Sequence, residues 1–201
     1  MSGKSIGLFL VLAGLVMMGV VWLLGRVSSP APATTTRWTG LAAPLPPEQA
    51  AQKARERALA WQPDAVLVRV EASWRPGERW LEVRTLPVTW LFTYYSPTAG
   101  ALATVSVNAE KVYWIPPMEV IRPPRALPVF PPPYGVDRMW LTFLGAGGEE
   151  FIRQHPDAFI HVVLQMEDQG PLWRVVAAGK EGNLTVQMSA DTGALIPQDR
   201  R

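Results

Sequence analysis

The sequence predicts an α+β fold of two modules, each a helix followed by an antiparallel sheet, after a single N-terminal transmembrane helix. Three observations predict it. Twenty consecutive uncharged residues lie near the N-terminus. A Pro-Asp-Ala sequence occurs twice, at Pro63-Asp64-Ala65 and Pro156-Asp157-Ala158, each time between a helix-like and a strand-like segment. The segments after both copies alternate apolar and polar residues, which is the two-residue period of a half-buried strand.

The composition of the 201-residue chain limits the classes of function. Hydrophobic residues make up 48% and charged residues 18%, so the chain can bury a core. The formal net charge is +2 and no run of Lys or Arg exceeds two residues, so nucleic-acid binding is not expected. Cysteine is absent, which excludes disulfides, thiolate metal ligands and a cysteine nucleophile.

The uncharged segment begins at Ile6 and ends at Gly25. As a helix it would span about 30 Å, the thickness of the hydrocarbon layer of a bilayer. Lys4 precedes it and Arg26 follows it, a slight bias that favours a cytoplasmic N-terminus and an exported remainder. We therefore predict residues 1–26 as a single-pass anchor in the cell membrane. A cleaved signal peptide is the alternative, although its apolar region is normally shorter.

Residues 27–46 are rich in proline, alanine and threonine, which predicts an extended linker. The first module is expected over residues 47–115. Its helix starts near Pro47, since proline is tolerated in a first turn, and a stripe of alanines suits close packing on a sheet. Pro63 ends this helix, and alternating strand-like runs follow.

Residues 116–136 contain prolines so densely that no regular strand pairing is expected. We interpret this stretch as a stiff connector, with a ligand for a proline-binding partner as the alternative. The second module is expected over residues 137–197. Its helix starts at Asp137, and Gly147 and Gly148 predict a kink or break before its strands.

The two Pro-Asp-Ala copies disagree in the phase of their first strands. When the two copies are aligned at Asp64 and Asp157, Val68 and His161 occupy the same position of the alignment. In the second copy, however, Ile160 and the residues that alternate with it form the more uniformly apolar face. Because a one-residue shift moves every side chain to the other face, a slip or bulge is predicted in one copy.

The closing strands of both modules resemble those of PepSY domains. Residues 186–195, Val-Gln-Met-Ser-Ala-Asp-Thr-Gly-Ala-Leu, are similar to the family's terminal pattern of apolar-x-apolar-Asp-Ala-x-Thr-Gly-x-apolar, and residues 105–112 are a looser version. Ser189 and Asn108 stand where the family usually has aspartate. The resemblance implies an extracytoplasmic binding or inhibitory module, of the kind found in the propeptides of thermolysin-type metallopeptidases, and not a catalyst.

No local pattern of catalytic or metal-binding residues is recognised. His155 and His161 are the only histidines, and on one strand His161 and Glu167 would stand about 20 Å apart, too far to share a metal. The adjacent pairs Glu149-Glu150 and Glu167-Asp168 point apart and are expected to be solvated. Phosphate-binding loops and zincin motifs are missing. We therefore expect no enzyme activity, cofactor or metal.

The aromatic residues supply the candidate contact sites, although most of them are expected in the core. Tyr95 is the first candidate for a surface anchor because it alternates away from the aromatic residues expected inside. Three tryptophans are the other candidates: Trp74, Trp80 and Trp114. We expect the exported domain to bind a protein or peptide, with a peptidase that it would regulate or inhibit as one candidate. A sensor or carrier that holds a small apolar ligand or lipid between helix and sheet is the alternative.

Overall fold

The computed structural model describes residues 45–75 and 89–197. The predicted anchor, nearly all of the predicted linker and the candidate Trp80 lie outside these two ranges. None of the helices within them combines the length and apolar character needed to span a bilayer.

The chain folds as helices and antiparallel strands, which confirms the predicted α+β class. A kinked segment, Leu144–Gly148, joins the helices Val136–Phe143 and Glu149–Gln154, and Gly147 adopts a φ of 101° in it, so the break predicted from the glycines is confirmed. The elements of the first half are α1 (Pro47–Trp61), β1 (Val66–Trp74), β2 (Thr89–Ser96), β3 (Ala101–Asn108) and β4 (Val112–Glu119). Those of the second half are α2 (Val136–Phe143), α3 (Glu149–Gln154), β5 (Phe159–Glu167), β6 (Gly170–Ala178) and β7 (Asn183–Ser189).

The strands of the two predicted modules form one seven-stranded sheet, in the order β4-β3-β2-β1-β5-β6-β7. The halves meet where β1 pairs with β5, from Arg69 opposite Gln165 to Trp74 opposite Ile160. We call this pairing the seam. Each first strand would otherwise present a row of unpaired backbone groups, and the seam satisfies both rows.

One face of this sheet carries both helical segments and the hydrophobic core. The alanines Ala50, Ala54 and Ala58 of α1 are completely buried, as the predicted stripe requires. Met139 and Phe143 of α2 join the same cluster as the alternate residues of the strands. The core residues of β2 are Trp90, Phe92 and Tyr94, as predicted from their alternation.

The repeated Pro-Asp-Ala sequence forms the same turn in both halves. The N–H of Ala65 donates to the carbonyl of Gln62 at 3.1 Å, and the N–H of Ala158 donates to that of His155 at 2.9 Å. In each half this turn follows a helix and leads directly into the first strand of that half. The prediction that it marks the step from helix to strand is confirmed.

The carboxylate of Asp64 ties this turn to the β2–β3 turn. Its oxygens accept hydrogen bonds from the Ser96 hydroxyl at 2.7 Å and from the Thr98 N–H at 2.8 Å. Hydrogen bonds from Thr98 and Ser96 lower the pKa of Asp64. Asp157 in the second half instead lies 3.4 Å from the ammonium of Lys180 in the β6–β7 turn.

The predicted shift in phase is present as a bulge in β1. Leu67 faces Tyr94 and Arg69 faces the next residue, Thr93, so Val68 is one residue in excess. Beyond the bulge the two halves agree, because Ala72 faces Trp90 and Leu164 faces Trp173. The extra residue therefore keeps the apolar side of β1 on the core.

The expectation that the proline-rich stretch forms no strand is wrong at its beginning. Strand β4 continues through Pro116 and Pro117 to Glu119, with a register shift against Leu102 and Thr104 of β3. One of the two prolines fits because it faces the free edge, where no N–H donor is needed, and the other faces β3 where the register shifts.

Three residues of the rest of the connector pack on the core: Leu127, Phe130 and Tyr134. The N–H of Leu127 donates to the carbonyl of Leu67 at 2.8 Å, and the ring of Phe130 meets Phe92 edge-on at 5.5 Å. The Tyr134 carbonyl accepts a hydrogen bond from Nε1 of Trp173 at 2.8 Å. The connector thus binds to both halves, a role that proline spacing did not predict.

Candidate functional site

The face of the sheet opposite the helices is the candidate functional site, and we call it the open face. Within the described ranges every helix packs on the other side. The open face receives the alternate residues of each strand that point away from the core. Its polar members include Arg69, Glu71 and Ser73 of β1, Thr93 of β2, Thr104 of β3, His161 and Gln165 of β5, and Arg174 of β6.

Four polar side chains meet at the centre of the open face, and we call them the seam cluster: Arg69, Glu71, Ser73 and His161. The Ser73 hydroxyl lies 2.7 Å from Nδ1 of His161. One carboxylate oxygen of Glu71 lies 2.8 Å from Nη2 of Arg69 and 3.6 Å from Nε2 of His161. Strand pairing explains the geometry, since Ser73 is directly opposite His161 and Glu71 is two residues away on the same face.

The groups of the seam cluster can be compared with those of a catalytic triad. A hydroxyl, an imidazole and a carboxylate in a row are the groups of a catalytic triad. Such a triad also needs hydrogen-bond donors for the developing oxyanion. Ser73 pairs with His161 of β5, whereas the pairing of β1 with β2 ends at Ala72. The cluster is a partly exposed set of donors and acceptors on the sheet surface.

Sequence reasoning missed the seam cluster. It compared His161 only with Glu167, its neighbour on the same strand, whereas its partners Glu71 and Ser73 lie on β1. The alternation of Arg69, Glu71 and Ser73 was visible in the sequence. Only knowledge that β1 pairs with β5 could have placed those residues beside His161.

The polar surface continues toward β7. Gln165 donates to a carboxylate oxygen of Glu167 at 2.5 Å, and Nη2 of Arg174 lies 3.7 Å from the same oxygen. A cavity of about 430 Å³ lies beside them and is lined in part by Leu172 and Gln187. Charged groups of both signs therefore stand next to apolar surface on this half of the open face.

The other half of the open face is more apolar. On β4, Tyr113 and Ile115 project on this side and are 49% and 43% exposed, and Met118 is 67% exposed. They lie beside Ser106, Thr104 and Leu102 of β3. An apolar border along β4 thus adjoins the polar centre.

The expectation that Tyr95 projects from the surface as an anchor is corrected. Its side chain points away from Trp90, Phe92 and Tyr94 as predicted, but only 8% of it is exposed. Its cross-strand partners are Val66 and Leu102, and neighbours on the same face cover an aromatic ring. The ring therefore belongs to the sheet surface and does not project from it.

The tryptophan candidates are not brought together by the fold. Trp74 is 8% exposed and packs in the core against Trp140, with 5.4 Å between ring centroids. Trp114 is half-buried on the helix side, where it contacts Trp61 at 5.5 Å and lies under the guanidinium of Arg57. Neither is part of the open face.

Both edges of the sheet carry features that hinder strand addition. At β4, Pro116 and Pro117 remove two backbone donors, one of them on the free edge. At β7, the chain returns along the edge, because Leu195 bridges to Met188 and the N–H of Ile196 donates to the carbonyl of Gln187 at 2.9 Å. Proline and a covering segment are both known protections of an edge.

No family model matches the chain, and no curated protein matches it. A solved structure from Clostridium difficile 630, described as a putative lipoprotein, is similar to it with a TM-score of 0.48. The sequence identity is 8%, over 74% of this chain and 90% of that chain.

Proposed function

We propose that this chain is a membrane-anchored protein whose folded domain stands outside the cytoplasm and binds a protein or peptide on the open face of its sheet. The observation that carries the proposal is the one-sided packing of the fold. Both helical segments and the connector pack on one side of seven strands. The other side presents the seam cluster beside an apolar border, a mixture typical of recognition surfaces.

The face is favoured over the edge as the contact surface. Peptides often bind by adding a strand to an open edge, where main-chain hydrogen bonds supply affinity. Here both edges are hindered, by the prolines of β4 and by the segment around Leu195. A partner of this domain would therefore contact its side chains, not its backbone groups.

The resemblance to PepSY domains suggests which class of protein the partner belongs to. The two halves share the order of helix and strands, the same turn at Pro-Asp-Ala, and a buried tryptophan at matching positions, Trp90 and Trp173. We propose that they are two PepSY-like copies and that the partner is a peptidase which the domain regulates or inhibits. The uncharged segment from Ile6 to Gly25 would hold the domain at the membrane.

The alternative is a sensor or carrier that holds a small apolar ligand or lipid between helix and sheet. Trp90 and Trp173 are 1% and 0% exposed, so such a ligand would not lie among these two tryptophans. The cavities next to Leu172, Arg55 and Gly135 have no tryptophan in their linings.

Site-specific photo-crosslinking in living cells tests the binding face. A crosslinking amino acid at Thr104 or Gln187 would report contacts of the open face, and the same amino acid at Lys53 would report the solvent side of α1 as the matched control. We expect one defined protein adduct from the open face and none from α1. Arg69→Glu should abolish the adduct, because it reverses a charge in the seam cluster without touching the core.

Equal adducts from both sides, or an adduct that persists in Arg69→Glu, would contradict the binding face. If the partner is a peptidase, the purified chain should slow its cleavage of a peptide substrate and Arg69→Glu should not. A C-terminal reporter active only in the cytoplasm would refute the proposed topology.

A further inference from the structure

A second candidate site lies on the opposite side of the sheet, in a groove between α1 and the connector that we call the α1 groove. Its volume is about 540 Å³, within the range of small-molecule sites. Apolar surface comes from Ala51 of α1, Leu67 of β1 and Phe130 of the connector. Polar surface comes from the guanidinium of Arg55 and the phenol of Tyr94, which also line the groove.

Tyr94 is the one phenol among the described residues that line the groove. The residue is 4% exposed, and it lies near the guanidinium of Arg55, whose charge acts on it. Burial raises the pKa of Tyr94 to about 12, and the nearby charge of Arg55 opposes this rise. At neutral pH the phenol therefore keeps its proton and can donate it in a hydrogen bond. A ligand acceptor in the groove could accept this hydrogen bond.

Arg55 supplies the matching charge. It is exposed at the groove and forms no ion pair with the part of the chain that the structure describes. A guanidinium is a planar fork that binds carboxylates with two parallel hydrogen bonds. Glu48 also lines the groove, but it lies seven residues away along α1, about 10 Å by helical rise. A negative group would therefore be accepted at the Arg55 end and repelled at the Glu48 end.

We infer that the α1 groove binds a small apolar monocarboxylate. Its carboxylate would lie between the guanidinium of Arg55 and the hydroxyl of Tyr94, and its apolar part would lie against Ala51, Leu67 and Phe130. This site is independent of the proposed open-face function, since it is on the helix side of the sheet. The charge pattern along α1 favours one anionic group on one end of the ligand.

Calorimetric titration of the full chain in lipid nanodiscs tests this inference, with 4-phenylbutyrate as the probe and empty nanodiscs as the blank. We expect saturable binding of 4-phenylbutyrate and at least tenfold weaker binding of the neutral analogue 4-phenylbutanol. Arg55→Gln should weaken binding of the acid about tenfold while leaving the alcohol unchanged. Arg57→Gln is the matched control, because Arg57 is on the same helix but lies over Trp114, outside the groove.

Two further variants separate the apolar and polar contributions. Ala51→Trp should fill the groove and remove binding of both compounds, and Tyr94→Phe should weaken binding of the acid severalfold. Circular dichroism of each variant verifies that the fold is retained. The inference is overturned if 4-phenylbutyrate shows no saturable binding, if Arg55→Gln and Arg57→Gln have equal effects, or if folded Ala51→Trp binds as tightly as the original chain.

Discussion

Nδ1 of His161 lies 2.7 Å from the hydroxyl of Ser73, although 88 positions separate these residues in the sequence. This contact crosses the seam at the centre of the sheet, where one half of the chain meets the other. Beside it, Glu71 lies near both His161 and Arg69. The seam is thus held by side chains of the open face as well as by the backbone ladder.

The contact between Ser73 and His161 should appear as a coupling energy. Ser73→Ala and His161→Ala, combined in a double-mutant cycle, should give a coupling of about 1 kcal/mol, the net value of a typical hydrogen bond. Urea unfolding of the full chain, followed by tryptophan fluorescence, measures it. The hydrogen-bonded pair Thr93 and Thr104, at 3.0 Å within the first half, is the comparison. A coupling indistinguishable from zero across the seam would show that the ladder alone holds the halves.

The two matching tryptophans should differ in their response to the same substitution. Nε1 of Trp173 donates to the Tyr134 carbonyl, whereas Nε1 of Trp90 is buried with no partner among the described residues. Replacement by phenylalanine removes similar volume from both sites. Trp173→Phe should therefore lower the free energy of unfolding by about 1–2 kcal/mol more than Trp90→Phe, because it also leaves a carbonyl unpaired. Equal losses would mean that the hydrogen bond to the connector contributes nothing.

Gly193 should be irreplaceable for two separate reasons. Its φ is +79°, and an added Cβ would clash with the ring of Tyr134. That ring cannot easily move, since its hydroxyl lies 2.5 Å from that of Thr142. Gly193→Ala should lower the free energy of unfolding by about 2–4 kcal/mol.

Gly100 separates the two effects, because its φ is +60° but an added Cβ would meet nothing within 4 Å. Gly100→Ala should therefore cost only the backbone term, about 1–2 kcal/mol. If both substitutions cost the same in urea unfolding, close contact with Tyr134 has no part in the requirement for glycine.

Tyr94 predicts a loss of stability at alkaline pH. Burial raises its pKa from 10.0 to about 12 in the folded chain. The unfolded state therefore loses the proton first, so stability is intact below pH 10 and falls as the pH rises toward 12. The loss is at most about 2–3 kcal/mol, since each pKa unit corresponds to 1.36 kcal/mol.

Urea unfolding at pH 9 and pH 11 checks this prediction. Tyr94→Phe should reduce the difference in stability between the two pH values, whereas Tyr113→Phe should not, because Tyr113 is 49% exposed. Arg55→Gln should raise the pKa of Tyr94 further, as read by absorbance at alkaline pH, because the charge of Arg55 lowers it. If Tyr94→Phe and the original chain lose the same stability between pH 9 and pH 11, the loss comes from the titration of other groups.

Local patterns predicted those parts of the fold that local physics determines. The alanine stripe of α1, the alternation of β2 and the turn at Pro63 each follow from spacing along one segment. Even the bulge at Val68 was predictable, because two copies of one motif could be compared for phase. No partner strand needs to be known for any of these features.

Features that depend on distant pairing were not predicted. Nothing in the sequence near Ser73 or His161 shows that β1 pairs with β5, so the seam cluster could not be predicted. The connector was interpreted from its proline content, which describes stiffness but not the path that places Phe130 against Phe92. Tyr95 was assigned to the correct face, but its exposure depends on Val66 and Leu102 in neighbouring strands.

The seam also bears on stoichiometry. Pairing β1 with β5 in antiparallel directions relates the two halves by an approximate twofold axis, which by itself would give two equivalent half-sites. The side chains at this axis break the equivalence, because Glu71 of one half faces Val163 of the other. Of the two residues paired at the axis, only Glu71 is acidic, and it lies beside Arg69 and His161. A partner that contacts this carboxylate would therefore bind one molecule per chain and in a single orientation.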